Sequence, residues 1–591
     1  MMKTVYQKNM KFIKKINSYL YDKINEVELK TVKKVITKNH YINIVKNVNE
    51  NEFIIHSQYA PQYQAKFIAR NAFKDDKYDI IFLFGLGLGY ELKEMIKLNG
   101  KVRYFVVEPD EEIFKLLLEY DDIKYLFNRI NIHFILGHNS EDIGRFYNNV
   151  IGFEKSVNIK FVVLPSYQNI YESLINDIFS NIKEKINVFR VNINTVTVSH
   201  KQWFQNYIGN LKYADNMCPV TKLKENFNGE PAIVVSAGPS LNYNIETLRE
   251  LQGKVLITTA GSGISVLENK KIKADIICMI DGWVNESRLI ENVELNRDAA
   301  VFYSSMLYYK ILSKLQGPKF LLNVNNMDSE IYSTIGEDPF NLFSGPSVAN
   351  SLVYNLSELG CSPIIFLGQD LCYSSGKNYA EGATYERDMS GELNNKGYIK
   401  MKNKTNVDVY TTPTFLSMKT SMEFCIKLHP HIKYLNGTED GLEIEGAKNI
   451  DFNEYARKNF NDEYSLNIKD VYDNFINNET DIEKLKCMEK NLENENTKLI
   501  DLLKESIKYM DSGIEQKKIY KVIERSYNKL NSIRLYKNII EPALGSLDFL
   551  YKNKNYIERN KQKFAYVLDK CLIMDNAFTY IVKGGEQDGV R

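Results

Sequence analysis

Two serine-flanked turns in the middle of the 591-residue chain carry the groups best suited to holding a phosphate. In "AIVVSAGPSL" an apolar run ends at Ser236, and Gly238, Pro239 and Ser240 follow; in "LFSGPSVANSL" the arrangement returns as Ser344, Gly345 and Ser347. Serine hydroxyls and unpaired amides at the start of a helix attract an anion, and the helix dipole adds to that attraction. Gly238 permits close approach of the backbone. Pro239 costs little in a first helical turn, where its amide would be unpaired anyway. Because proline offers no N–H, neither turn is an ordinary phosphate loop. Each alone reads as a helix start capped by serine. Together, on one sheet, they read as grips on opposite ends of a nucleotide.

Further polar residues stand directly after apolar runs: Asp281 in "MIDGW", Asn323 in "LLNVNN", and Gln369, Asp370 and Tyr373 in "FLGQDLCY". Carboxylates and amides at the carboxyl ends of strands are where an α/β sheet binds its ligand. The stretch "CYSSGKNYAEGATYE", with Tyr379, reads as a mobile lid, and "YLNGTEDGLEIEGAKN" adds Asn436, Thr438 and Glu439. His429 and His431 in "LHPHIKY" read as surface residues. No H-E-x-x-H, G-x-S-x-G or Walker sequence occurs, so no dedicated transition-metal site is expected. Nearer the start, Gly85, Gly87 and Gly89 follow the run "DIIFLF", and Glu108 comes about 20 residues later, where a ribose ligand would sit. This set could bind a dinucleotide or S-adenosylmethionine. Its alternative reading is a turn whose glycines only let helix and strand pack closely, since "GLGLG" lacks the full G-x-G-x-x-G spacing.

The elements that must position these residues follow from the hydrophobic rhythm. Residues 1–210 read as a Rossmann-like α/β domain, with strands at "DIIFLF", "VRYFVVE", "INIHFIL" and "KFVVL". Residues 211–450 restart the rhythm in six apolar runs separated by helix-sized segments, which predicts a mostly parallel, doubly wound sheet covered on both faces. Residues 451–591 change texture. Leu485, Leu492 and Leu499 recur every seven residues among charges, which predicts a helical bundle. The net charge of +1 gives no field for nucleic acid or anionic membrane. Seven scattered cysteines without a C-x-x-C pair fit a reducing compartment. No apolar run approaches a membrane span, and the chain is expected to be cytoplasmic.

The segments "FLFGLGLGY", "VVEPD", "VVSAGPSL", "SGPSVANSLVYNLSELGCSPIIFLGQDL" and "NGTEDGLEIEGAKN" resemble the motility-associated factor (Maf) flagellin glycosyltransferases across roughly residues 50–450. The central domain of that family is similar to bacterial sialyltransferases. The resemblance implies a nucleotide-contacting role for Gly238–Leu241 and Ser344-Gly345. Gly368, Asp370 and Tyr373 match a Gly-x-Asp-x-Tyr strand end loosely, and Tyr379 matches a tyrosine that neutralises the leaving phosphate. The histidine base of the sialyltransferases has no counterpart in "TTPTFLSMKTSMEF", which leaves Asp281 or Asp370 as the base by position.

The function so implied is transfer of a nonulosonic acid, of pseudaminic or legionaminic type, from its CMP donor to Ser or Thr of flagellin. The helical region would dock the acceptor or simply cap the α/β domain. The CMP-sugar is a substrate and no cofactor is required; a divalent metal ion is left open. Two alternatives stand beside this reading. One is a pterin pyrophosphokinase-like enzyme using ATP and Mg²⁺, with Asp275, Asp281 and Asp370 around the triphosphate. The other is a non-catalytic flagellin-binding chaperone.

Overall fold

The computed structural model describes residues 4–74, 78–137, 143, 158–343, 345–373, 376–389, 391–393, 397–461, 466–544 and 555–582; Ser344 therefore lies outside it. The chain divides into two compact units, one up to Thr195 and one from Val196 onward, and the division falls within the helix Glu172–Leu211.

The first unit has an antiparallel sheet of β1 (Val32–Ile36), β2 (Ile42–Val48) and β3 (Asn51–Ile54). It also has a parallel sheet of β4 (Ile80–Phe84), β5 (Arg103–Glu108), β6 (Ile132–Leu136) and β7 (Ile159–Val163), in the order β6-β5-β4-β7. The two strands that follow β4 lie to one side of it and the last lies on the other, which is the order of a Rossmann half. All five residues of β4 are buried, so the strand reads as one unbroken apolar run.

The second unit is built on nine strands. They are β8 (Cys218–Pro219), β9 (Ala232–Val235), β10 (Leu256–Ala260), β11 (Ile276–Met279), β12 (Ala300–Tyr303), β13 (Lys319–Leu321), β14 (Ile364–Leu367), β17 (Tyr434–Asn436) and β18 (Lys448–Asn449). A separate hairpin of β15 (Ile399–Lys402) and β16 (Asp408–Thr411) interrupts them. The sheet order is β18-β17-β14-β9-β10-β11-β12-β13-β8, with every neighbouring pair parallel. From β9 the chain winds outward through β10 to β13, then returns to place β14 on the other side of β9. The expected α/β architecture is thus present, with its switch of direction between β9 and β14.

Beyond the sheet, the helix Glu479–Met510 buries Leu485, Leu492 and Leu499 against the helices Gln516–Asn531 and Tyr556–Ala577. Asn496 Nδ2 donates to the Cys571 carbonyl at 2.9 Å, and Ser506 and Ser526 share a buried hydrogen bond of 2.8 Å. These helices belong to the same compact unit as the nine-stranded sheet. Among the described residues, no helix is long and apolar enough to cross a membrane.

Candidate active site

In a parallel sheet the loops leaving two strands part company where the winding reverses, and a crevice opens between them at the carboxyl edge. Here the loops are those after β9 and β14, which hold Ser236–Ser240 and Gly368–Asp370. They are tied together closely. The Gly238 amide donates to the Gly368 carbonyl at 2.8 Å, and Ser236 Oγ donates to Gln369 Oε1 at 2.6 Å. The Ser240 amide donates to Asp370 Oδ2 at 3.0 Å and its hydroxyl to Oδ1 at 2.5 Å. Gly238 has to be glycine, because a Cβ there would overlap the Asp370 carboxylate and stand 2.5 Å from the Gly368 carbonyl oxygen. The residues after Gly238 form a 3₁₀ segment, Pro239–Tyr243, before the six-residue helix Ile245–Glu250. The expected α-helix therefore does not begin at Ser240. Its amide, which the sequence suggested for a phosphate, faces a carboxylate instead.

Asp370 is accordingly a buried clamp. The next strand supports it: the Gln369 amide donates to Thr438 Oγ1 at 3.1 Å, and the Thr438 amide donates to Asn436 Oδ1 at 3.1 Å. Both residues are fully buried, and Asn436 Nδ2 has no hydrogen-bond partner among the described residues. Glu439 lies at the rim, its pKa raised by burial against the pull of Lys404. Lys404, on the β15–β16 turn, is held over this end of the sheet by its amide bond to the Gly441 carbonyl at 3.2 Å. Burial lowers its pKa, and Glu439, Glu443, Asp370 and Asp440 oppose that shift.

The second turn does start a helix, Val348–Glu358, whose N-cap is Ser347 with its hydroxyl accepting from the Ala349 amide at 3.3 Å. A helix that leads into a parallel strand begins at the carboxyl edge, so this N-terminus lies on the same side of the sheet as the first turn. Gly345 packs on Asn350, whose Cβ would be 2.5 Å from an added Cβ. Asn350 is buried; its Nδ2 donates to the Met418 carbonyl at 3.0 Å and its Oδ1 has no partner among the described residues. Asn323, after β13, ties down a neighbouring loop by donating to the Phe340 carbonyl at 2.8 Å and accepting from Ser329 Oγ at 2.7 Å.

The stretch read as a lid is strapped across the edge. The Ala380 amide donates to the Ala237 carbonyl at 2.8 Å, the Thr384 amide to Ser265 Oγ at 3.0 Å, and Tyr385 Oη to the Asn285 carbonyl at 3.1 Å. The strap thus touches the segments after β9, β10 and β11. Tyr379 lies beside Ala380 within electrostatic reach of Tyr373 and Tyr385, whose phenols are raised first by burial. Tyr373 packs against Tyr398 and Phe415, with ring centroids 5.4 and 5.3 Å away.

Asp281, exposed after β11, accepts from the Trp283 amide at 3.2 Å. Burial of its surroundings raises its pKa. Glu286, on the next turn, is pushed up to about 7 by burial and by the charge of Asp281. The sequence reading passed over Glu286, which looks like any glutamate in a polar loop. It also passed over Gly261, at the end of β10 in "TTAGSG", where an added Cβ would meet nothing within 4 Å.

Several residues are not brought into this site. Asp275 precedes β11 and accepts from the Ile257 amide at 2.8 Å, which places it at the amino edge, opposite Asp281. His429 is buried, not a surface residue: it caps the C-terminus of the helix Pro413–Leu428 and pairs with Glu358 at 3.2 Å. Among the described residues, no three His, Cys, Asp or Glu side chains converge so that they could hold a metal ion.

Residues 205–376, which include the strands and loops of this crevice up to the first part of the strap, are similar to the family of 6-hydroxymethylpterin diphosphokinase MptE-like proteins. Across almost its entire length the chain is similar in fold to the MAf glycosyltransferase from Magnetospirillum magneticum AMB-1. The TM-score is 0.59 at 12% identity, over 98% of this chain and 97% of that one. The Maf resemblance in the sequence is therefore borne out as a likeness of fold. No curated protein sequence matches the chain significantly.

Proposed function

We propose that the chain is a glycosyltransferase that moves a nonulosonic acid of pseudaminic or legionaminic type from a CMP donor to Ser or Thr hydroxyls of flagellin. The observation that carries this reading is the switch-point crevice. The first Gly-Pro-Ser turn and the Gly-Gln-Asp strand end are joined at the carboxyl edge of the sheet, the second Gly-Pro-Ser turn opens a helix on that same edge, and the fold is similar to that of a MAf glycosyltransferase.

In this reading the acceptor hydroxyl oxygen attacks the anomeric carbon while the bond from that carbon to the phosphate oxygen breaks. The electron pair leaves on CMP, and the hydroxyl proton passes to Asp281. The leaving phosphate is met by the N-terminus of the helix Val348–Glu358 and by the phenols of Tyr373 and Tyr379, dipoles fixed before the charge develops. Asp281 suits the base because its surroundings raise its proton affinity. Asp370 does not, because its carboxylate already accepts both hydrogens of Ser240. Ser236, Asn323, Gln369, Asn436, Thr438 and Glu439 would line or support the donor pocket. A cytoplasmic setting follows from the flagellin substrate. The test is co-expression with flagellin and a CMP-nonulosonic acid pathway. Intact mass should rise by whole sugar units, and an unchanged mass beside firm flagellin binding would favour a chaperone.

The MptE-like match favours a second reading, a pyrophosphokinase acting on a hydroxymethylpterin. That chemistry needs carboxylates gathered around a metal-bound triphosphate. Asp275, Asp281 and Asp370 do not meet that need, since they stand at opposite edges or are already engaged. AMP release from ATP and hydroxymethylpterin would overturn the transferase reading.

A further inference from the structure

The glycine-rich turn of the first unit is filled by the chain itself. Glu108, at the end of β5, is fully buried, and its Oε2 accepts from the amides of Leu86 and Gly87 at 2.9 and 3.1 Å. The same oxygen accepts from Tyr167 Oη at 2.7 Å, and Oε1 accepts from the Asp110 amide at 3.0 Å. The next amide of the turn, that of Leu88, donates to His56 Nε2 at 2.9 Å. That bond fixes the imidazole proton on Nδ1, which faces Glu91 Oε1 at 3.3 Å. Every N–H that a pyrophosphate would use between Leu86 and Leu88 is therefore taken.

The space over the glycines is taken as well. A Cβ on Gly85 would stand 2.7 Å from the Tyr167 ring and one on Gly87 2.5 Å from His56 Nε2, while one on Gly89 would overlap the Tyr125 hydroxyl. All three glycines have positive φ, the left-handed backbone that turns the Leu86, Gly87 and Leu88 amides toward one acceptor region. Aromatic side chains of the protein cover the positions where the backbone of a nucleotide loop normally approaches its ligand.

We infer that this turn is an anion-binding turn already occupied by the carboxylate of Glu108, and that the first unit consequently binds neither a dinucleotide nor S-adenosylmethionine. Glu108 plays the part of the phosphate rather than of the ribose ligand its position suggested. Burial works against the charge on this carboxylate and raises the Glu108 pKa to about 7, and the hydrogen bonds it accepts from Tyr167 and the turn amides work for the charge. Asp110 beside it is paired with the Lys46 ammonium at 2.5 Å and accepts a hydrogen bond from Tyr171 Oη at 2.7 Å. Any nucleotide site of the chain then lies in the second unit.

The experiment is a pair of measurements on the full chain. Calorimetry of the unaltered protein with NAD⁺, NADPH and S-adenosylmethionine should show no saturable heat, and saturable binding of any of them overturns the inference. In Glu108→Ala, the vacated turn should take inorganic phosphate. The melting temperature of that variant should rise with phosphate over chloride of equal ionic strength, while the unaltered protein shows no such rise. A folded Glu108→Ala that ignores phosphate also overturns it. Should the variant fail to fold, the calorimetry decides alone.

Discussion

Ser240 gives both of its hydrogens to one carboxylate, its amide to Asp370 Oδ2 at 3.0 Å and its hydroxyl to Oδ1 at 2.5 Å. The pair is buried and joins the loop after β9 to the loop after β14. An unpaired carboxylate in such a place costs far more than the pair contributes. Ser240→Ala should therefore lower stability by about 1–3 kcal/mol. Asp370→Ala should weaken CMP binding by loosening both loops. Denaturant unfolding and calorimetry with CMP are the measurements; an unchanged CMP affinity in folded Asp370→Ala would dissociate the clamp from the donor site.

Gly238→Ala attacks the same junction through volume. The added carbon would meet the Asp370 carboxylate and the Gly368 carbonyl, and the second is backbone that cannot swing away. We expect CMP binding to be lost while far-ultraviolet circular dichroism stays unchanged. Gly261→Ala has open space above it but a left-handed backbone (φ +54), so it should cost about 1–2 kcal/mol of stability, measured by denaturant unfolding, and reduce CMP affinity beyond that only if the donor lies over the end of β10.

Asp281→Asn should lower the transfer rate by about 100-fold or more, the usual worth of a general base, with little effect on CMP affinity. In the unaltered protein the rate should fall as pH drops, through an inflection above the ordinary aspartate range, because the protein crowded around this solvent-reachable carboxylate displaces part of its water and raises its pKa. Glu286 carries its proton up to about pH 7 partly because of Asp281, so Asp281→Asn should bring that titration down. A rate indifferent to both Asp281→Asn and Glu286→Gln would remove this edge from the chemistry.

The His429–Glu358 pair predicts a pH dependence of stability. Burial works against the imidazolium, but hydrogen bonds with Cys425 and Glu358 outweigh it and raise the pKa from 6.5 to about 10. A raised histidine contributes stability fully below its unfolded value and loses it as pH climbs through the folded value. The window is therefore pH 6.5 to 10. Over it, the unaltered protein should lose about 1–3 kcal/mol more than Glu358→Gln does. Parallel curves from urea titrations across this range would show that the pair is not charged.

The sheet of the second unit was readable because its longer buried parallel strands appear as unbroken apolar runs, several of them followed by a glycine, as at Gly238, Gly261, Gly282 and Gly368. The turns at Gly238 and Gly368 could be found in this way, and Gly345 by its repeat of the Gly-Pro-Ser sequence, although no strand precedes it. What the side chains there do could not, because the partner of Ser240 lies 130 residues away and no local pattern announces it. Asp275 and Asp281 flank one strand and look alike in sequence, yet the strand direction sends them to opposite edges. Glu286 acquires its raised proton affinity only from packing. Glu108 was found at the expected spacing, but the sequence does not say that its carboxylate turns inward onto the glycine turn.

The 130-residue separation of Ser240 and Asp370 also sets an order of events during synthesis. Contacts between segments so far apart form slowly, because the intervening chain must first be collapsed. When the β9 loop leaves the ribosome, it stands without its clamp until β10 to β13 and the returning strand have been made. The crevice is thus completed late, and a nascent chain halted before residue 364 would hold most of the sheet yet lack it.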